Sequence, residues 1–276
     1  MGFFLGDIKQ IDTLVSPMVE KIRIQKLLSM KGICSRRQAE TYLREGRLSI
    51  NDQQATLGDK ASHEDLIALD GDILEFSAEE KKVVIAFFKP KGVECTMSRI
   101  EGSKTLADYD FGVGRVFCIG RLDKDSQGLL LLTNDGDLCN KLAHPKYQKE
   151  KEYLVSVREL SLKAKSSFEN RHSDLKDMRV KFDGKSLNEK VRALEEGVLI
   201  DEKKTSPCKI RILEENVLQF MLTEGRNRQI RKMCEAVNLQ VLELLRVRIG
   251  KLNLGEMKSG KWRVLSGPEI DSLRKN

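Results

Sequence analysis

The sequence predicts an α+β fold in two domains, and three observations predict it. Short apolar runs bounded by glycine, proline, aspartate and asparagine recur along the chain and read as strands. Helical periodicity is confined to a few brief stretches, so helices do not alternate with strands as a doubly wound sheet requires. The 276 residues are enough for two domains, and polar residues 77–82 (Ser-Ala-Glu-Glu-Lys-Lys) separate a basic front part from a longer remainder.

The elements follow in order. Residues 1–17 lack strong periodicity and read as an irregular extension. Ile22, Ile24, Leu27 and Leu28 form an apolar stripe beside Lys21, Arg23 and Lys26, which predicts a short helix ended by Lys31-Gly32. Ser35 is placed to cap a second helix holding Ala39, Tyr42 and Leu43, which ends at Gly46. Leu48 and Ile50, then residues 55–57, read as short strands. Asp70-Gly71-Asp72 is a turn and residues 73–76 are a last strand.

Residues 83–88 (Val-Val-Ile-Ala-Phe-Phe) predict a buried strand, stopped by Lys89-Pro90-Lys91-Gly92 because proline cannot donate to a ladder. Four consecutive leucines, 129–132, form a second buried run. A short helix is expected over 137–142, broken at His144-Pro145. Residues 149–157 alternate in their second half, as a half-buried strand does. Residues 161–188 are charged and irregular, with a helix expected over 163–168. Strands are expected over 190–194, 208–213 and 217–222. A helix over 228–237 places Ile230, Met233, Cys234 and Val237 on one face. Strands near 241–249 and 262–265 complete the larger domain. The boundaries are therefore 1–17 extension, 18–77 first domain, 78–82 linker, 83–265 second domain and 266–276 tail. No repeat or low-complexity block is present.

The chain is 40% hydrophobic and 33% charged, which supplies a sizeable core to a soluble protein. Net charge is +7 and unevenly spread. Residues 21–50 carry Lys21, Arg23, Lys26, Lys31, Arg36, Arg37, Arg44 and Arg47 against Glu40 and Glu45 alone. So concentrated a basic field attracts polyanions, nucleic acid first among them. The six cysteines include no Cys-x-x-Cys pair and read as reduced, mostly buried thiols of a cytosolic chain. The three histidines are far apart, so no metal is expected. No apolar run approaches the roughly 20 residues that span a bilayer, and no export signal is visible. A cytoplasmic monomer is the expectation.

The densest motif is Gly120-Arg-Leu-Asp-Lys-Asp-Ser-Gln-Gly128, which delivers Asp123 just before the leucine run. A carboxylate at the lip of a buried element is where a scaffold presents a nucleophile or base. Two further segments carry clustered polar chemistry: His144 to Val155, with Lys-Glu-Tyr-Leu-Val, and Glu224-Gly-Arg-Asn-Arg-Gln-Ile-Arg-Lys-Met-Cys234. Taken singly, Asp123 suits a turn cap, Tyr153 a strand core and Arg231 an exposed helix face. As an ordered set with Lys89-Pro90, they closely resemble the RsuA-type pseudouridine synthases, and the RluF-like branch in particular. The basic front part, with Ser35-Arg36-Arg37 and Gly46-Arg-Leu-Ser-Ile-Asn51, resembles the S4 RNA-binding module. Together the likeness covers roughly residues 20 to 265.

That resemblance implies an S4 domain of two helices and a β-hairpin, then a catalytic domain with a mixed, mainly antiparallel sheet. It implies isomerisation of uridine in ribosomal RNA, in the 23S molecule for that branch, without a cofactor. Asp123 would be the nucleophile, attacking base or sugar. Arg231 would hold its charge, and Tyr153 would stack on the uracil and help remove the C5 proton. Arg121 would bind phosphate or fill the gap left by the flipped nucleotide. Lys31, Arg36, Arg37, Lys89, Asn227 and Arg228 would contact RNA. The family's Ser-Glu-Gly is Ser126-Gln127-Gly128 here. Two other readings compete: a non-catalytic S4-type ribosome assembly factor, and a synthase directed at tRNA. Asp123-x-Asp125 mimics a calcium loop, but Asn134 stands where that loop needs glutamate. Gly112-Val-Gly114 lacks the rest of a dinucleotide motif.

Overall fold

A computed structural model describes residues 20–76, 81–160 and 182–275. They fall into two compact units that divide after residue 80. The helix expected over 163–168 lies outside the described residues.

In the first unit, α1 (Ile24–Met30) and α2 (Arg36–Arg44) pack on a four-stranded antiparallel sheet. Its strands are β1 (Leu48–Ile50), β2 (Gln53–Gln54), β3 (Ile67–Leu69) and β4 (Asp72–Ile73), in the order β2-β1-β3-β4. Ser35 caps α2 as expected, its hydroxyl accepting the Gln38 N–H at 3.0 Å. Ile24, Leu28, Ala39, Leu48 and Ile67 are fully buried between helices and sheet. The strand expected at 55–57 is displaced. Asn51 and Asp52 both take positive φ, 49° and 62°, so a two-residue turn pairs Ile50 with Gln53 at once. Residues 56–59 then turn on the Asp59 carboxylate, which accepts the Thr56 N–H at 2.7 Å.

The second unit is built on one nine-stranded sheet. Its strands are β5 (Val84–Lys89), β6 (Phe117–Ile119), β7 (Gln127–Thr133), β8 (Lys151–Glu159), β9 (Lys209–Glu214), β10 (Val217–Leu222), β11 (Leu239–Ile249), β12 (Leu252–Asn253) and β13 (Trp262–Val264). The main path is β9-β10-β8-β11-β7-β5-β13, with β6 on β7 and β12 on β11. All pairings are antiparallel except β7 with β11. Among the described residues four helices flank it: α3 (Gly136–Ala143), α4 (Leu187–Glu196), α5 (Gln229–Ala236) and α6 (Gly267–Arg274).

The unbroken apolar runs are explained by burial on both faces. Ile85, Phe87, Leu130 and Leu132 enter one core; Val84, Ala86, Leu129 and Leu131 enter the other. Two expectations are corrected. Residues 190–194 are helical, because Ser186 and Glu189 form a capping box that starts α4 and sends Val191 and Leu194 to one face. Residues 266–276 contain α6, started by a second box, Ser266 with Glu269. Its Leu273 is fully buried against Leu138 and Leu252.

Candidate active site

A cleft of about 790 Å³ opens in the second unit, where the turn between β6 and β7 meets α5 and the edges of β8 and β11. Asp123, Tyr153, Arg231, Arg121, Asn227 and Arg228 all line it, so the structure gathers residues far apart in sequence. The turn is fixed from several sides. Gly120 takes φ +71°, and the Ser126 N–H closes back on the Asp123 carbonyl at 3.1 Å. Leu122 is anchored in the core with its N–H on Cys95 Sγ at 3.4 Å. Asp123 is half-buried at the lip, and its carboxylate makes no hydrogen bond or close ion pair among the described residues. Arg231, Arg228 and Lys89 all lie within electrostatic reach of that carboxylate.

The expected pairing of Arg231 with Asp123 takes a different form. Arg231 Nη2 donates to the Asp125 carbonyl at 2.9 Å and to Ser126 Oγ at 3.3 Å, while its Nε lies 3.4 Å from Asp125 Oδ2. Arg228, held at φ +51° just before α5, forks onto both oxygens of Asp125 at 3.0 and 3.1 Å. Asp125 therefore locks α5 to the turn and leaves Asp123 free. Burial pushes the Asp125 carboxyl up, but the two arginines outweigh it and the net shift is downward. Burial likewise pulls the Arg231 guanidinium below its ordinary value, opposed by Asp125 and Asp123.

Tyr153 is 8% exposed and sits in β8, where its register partner on β11 is Arg246. Two positions back on the same strand face, Lys151 also lines the cleft. Burial, aided by Arg246, lowers the Lys151 ammonium to about 8. Arg246 is itself buried; its Nε donates to the Leu129 carbonyl at 2.7 Å and its Nη1 reaches the Arg121 carbonyl at 3.5 Å. It thus braces both ends of the Asp123 turn.

Three residues that complete the site, Asp125, Lys151 and Arg246, were missed in the sequence. Asp125 left a signal as part of the false calcium loop, though two arginines occupy its oxygens instead, and Lys151 stood in the Lys-Glu-Tyr-Leu-Val motif; Arg246 left none. Lys89 is corrected. Its side chain is fully buried and donates to the Pro90 and Val93 carbonyls at 2.8 and 2.7 Å, so it shapes the loop and does not meet RNA. Arg36 and Arg37 are exposed on α2, and Lys31 is half-buried at the end of α1 with its ammonium 5.9 Å from the Phe76 ring centre.

Comparison with known proteins gives this geometry a context. Residues 83–236 match the model of the RNA pseudouridylate synthase family, and residues 22–67 match that of the S4 domain. The chain is 36% identical over 254 residues to the dual-specificity RNA pseudouridine synthase RluF of Escherichia coli K12, covering 92% of this chain and 79% of RluF. It is 35% identical over 260 residues to ribosomal large subunit pseudouridine synthase B of Bacillus subtilis 168, covering 91% and 95%. A crystal structure of a pseudouridylate synthase superposes with a TM-score of 0.61 at 27% identity, over 91% of this chain and 99% of that one. With the matched model spanning more than half its length and such relatives over most of it, this chain belongs to the RNA pseudouridylate synthase family: it is an RNA pseudouridine synthase, an isomerase, carrying an S4 domain.

Proposed function

We propose that this enzyme converts a specific uridine of ribosomal RNA, in the 23S molecule, to pseudouridine with Asp123 as nucleophile. The observation that carries the reading is the Asp123 carboxylate: it stands unbonded in the cleft while the neighbouring Asp125 takes up the nearby arginines. A nucleophile needs its oxygens free and ionised, and Arg231, Arg228 and Lys89 supply a positive field without covering them. The name of the Bacillus subtilis relative, a ribosomal large subunit synthase, supports the ribosomal substrate.

The reaction breaks the N-glycosidic bond, turns the uracil and joins C5 to the ribose. Asp123 attacks the nucleoside and later leaves. Tyr153 stacks on the freed uracil and helps take the C5 proton. Arg121, exposed at the lip, contacts phosphate or fills the place of the flipped nucleotide. Asn227 at the cleft edge and Lys31, Arg36 and Arg37 on the S4 helices meet backbone phosphates, which position RNA without reading its sequence. Arg228 joins them only to the extent that it can be drawn from Asp125.

Tritium release from RNA labelled at uridine C5 tests this. Wild type should release tritium from unmodified rRNA, and Asp123→Asn should bind that RNA and release none. Release by the variant at the wild-type rate would sink the nucleophile assignment. A parallel arm with unmodified tRNA tests the competing tRNA reading, and release there would broaden the substrate.

A further inference from the structure

Lys151 is a cation of the cleft that the reaction steps leave idle. It stands in β8 two positions before Tyr153, and both residues line the cleft. Other cations there have partners. Asp125 takes up Arg228 and Arg231, Glu94 holds Lys124 at 2.9 Å, and the Lys275 carbonyl accepts from the buried Lys149. Glu152, the acid next to Lys151 in the strand, is spent on Arg248 at 2.6 Å and on Gln219. Among the described residues Lys151 meets no carboxylate, and its ammonium donates to the Lys149 carbonyl alone, at 3.2 Å. An ammonium has three N–H donors, so two are unspent. The charge that acts on it is a second cation: Arg246, 2% exposed, whose Nη2 has no acceptor among the described residues. A half-buried ammonium beside another cation is costly to hold unless an anion completes it.

We propose that Lys151 is a catalytic residue of the isomerisation, donating to the uracil oxygens while negative charge stands on the base. The assignment rests on Tyr153 as the platform for the uracil. Residues two apart on a strand face are separated by roughly 7 Å, and the flexible four-carbon stem of lysine carries its ammonium to the edge of a ring lying on Tyr153. The charge arises whichever atom Asp123 attacks. Attack on the sugar at C1′ expels N1 with the bonding pair, which spreads through the ring to O2 and O4. Attack on the base at C6 drives the C5–C6 π pair toward C4 and places the charge on O4. Over the whole reaction the C1′–N1 bond breaks, the C5–C1′ bond forms, C5 gives up its proton, N1 takes one, and Asp123 is returned as the carboxylate. Lys151 keeps its proton throughout and supplies a preorganised donor where charge develops. Burial, aided by Arg246, lowers that ammonium only to about 8, so at neutral pH it still carries the charge this task needs.

Single-turnover tritium release from C5-labelled, unmodified rRNA, with full-length enzyme in saturating excess, tests the role. Lys151→Met should slow release about 10²–10³-fold, the cost of losing one such donor, while filter binding shows unchanged affinity for the RNA. Lys151→Arg keeps the charge and the donors and should restore the larger part of the rate. Folding does not confound the comparison: an ammonium held below its ordinary value opposes folding at neutral pH, so Lys151→Met should melt no lower than wild type. A wild-type rate for Lys151→Met overturns the assignment. So does lost RNA affinity with the saturating rate intact, which would make Lys151 a ligand of backbone phosphate. Equal slowing of Lys151→Met and Lys151→Arg overturns it too, because shape and not charge would then matter. Two variants run alongside separate this from the reading beneath it. With Asp123→Asn inert and Lys151→Met fully active, the nucleophile stands and the Lys151 role alone falls. A wild-type rate for Tyr153→Leu removes the platform, and the Lys151 assignment with it.

Discussion

Gly128 is the residue whose replacement should do most damage for the fewest atoms. It opens β7 at φ +114° and is the register partner of Arg246 in the parallel contact with β11. A Cβ there would stand 2.3 Å from the Arg246 carbonyl oxygen and 2.6 Å from its nitrogen, both backbone atoms that no rotamer change can move. Gly128→Ala therefore carries two costs: about 2 kcal/mol for the disfavoured backbone and about 2 kcal/mol for overpacking against a strand that must shift. A loss of about 4 kcal/mol in a unit of this size lowers the melting temperature by about 8–16 °C. Gly255→Ala is the control: φ is +60° and nothing lies within 4 Å of the added carbon. It should cost about 1 kcal/mol, or about 2–4 °C. The sole tryptophan, Trp262, is in β13, so its fluorescence follows the catalytic unit during heating. Melting of Gly128→Ala within two or three degrees (roughly the control's own shift) of Gly255→Ala would refute the clash.

Three further outcomes are expected. Asp125→Asn should lower kcat at least about tenfold, the order expected when a positioning network is lost, with RNA affinity little changed in a filter-binding assay. Because the folded Asp125 carboxyl is held below its ordinary value, its stabilisation is full above about pH 4 and fades as pH falls through the lowered value. The melting difference between wild type and Asp125→Asn should close on acidification. Lys151 acts in the alkaline range: folded protein releases its proton near 8, the unfolded chain only near 10.4. Wild-type stability should rise across that window relative to Lys151→Met, measured by urea unfolding at several pH values. Ser186→Ala removes the capping box of α4 and should cost about 1 kcal/mol in the same urea assay.

How much of this was legible in the sequence depended on whether local chemistry decided the outcome. The two buried runs, the capped S4 helix and the face of α5 are local patterns, and the structure contains each of them. Residues 190–194 were misread because Val, Ala and Leu interleaved with Lys and Arg suit a strand until the Ser186–Glu189 box is noticed. Residues 55–57 were misread because a two-residue turn at Asn51-Asp52 brings the pairing forward. At the site, the sequence named the residues that line the cleft, Asp123, Tyr153 and Arg231. It did not reveal that Arg231 works through Asp125, nor that Arg246 braces the turn, since both depend on side chains that meet across more than a hundred residues. Lys89 was misplaced for a local reason: a lysine before Pro90 reads as surface, and only the path of the loop shows the Pro90 and Val93 carbonyls waiting for it.

The parallel contact between β7 and β11 also sets when the enzyme can first work. It joins Gln127 to Leu245, the only parallel step in the sheet among the described residues, and Arg246 on that strand closes the turn that bears Asp123. Pairings so distant along the chain form late, since the loop between them must be closed before any contact rewards it. During synthesis, the S4 unit, with its neighbouring helices and hairpin, can settle while most of the catalytic unit is still unmade. The Asp123 turn stays unbraced until β11 has emerged, so the S4 unit is complete before the cleft is in the life of each molecule.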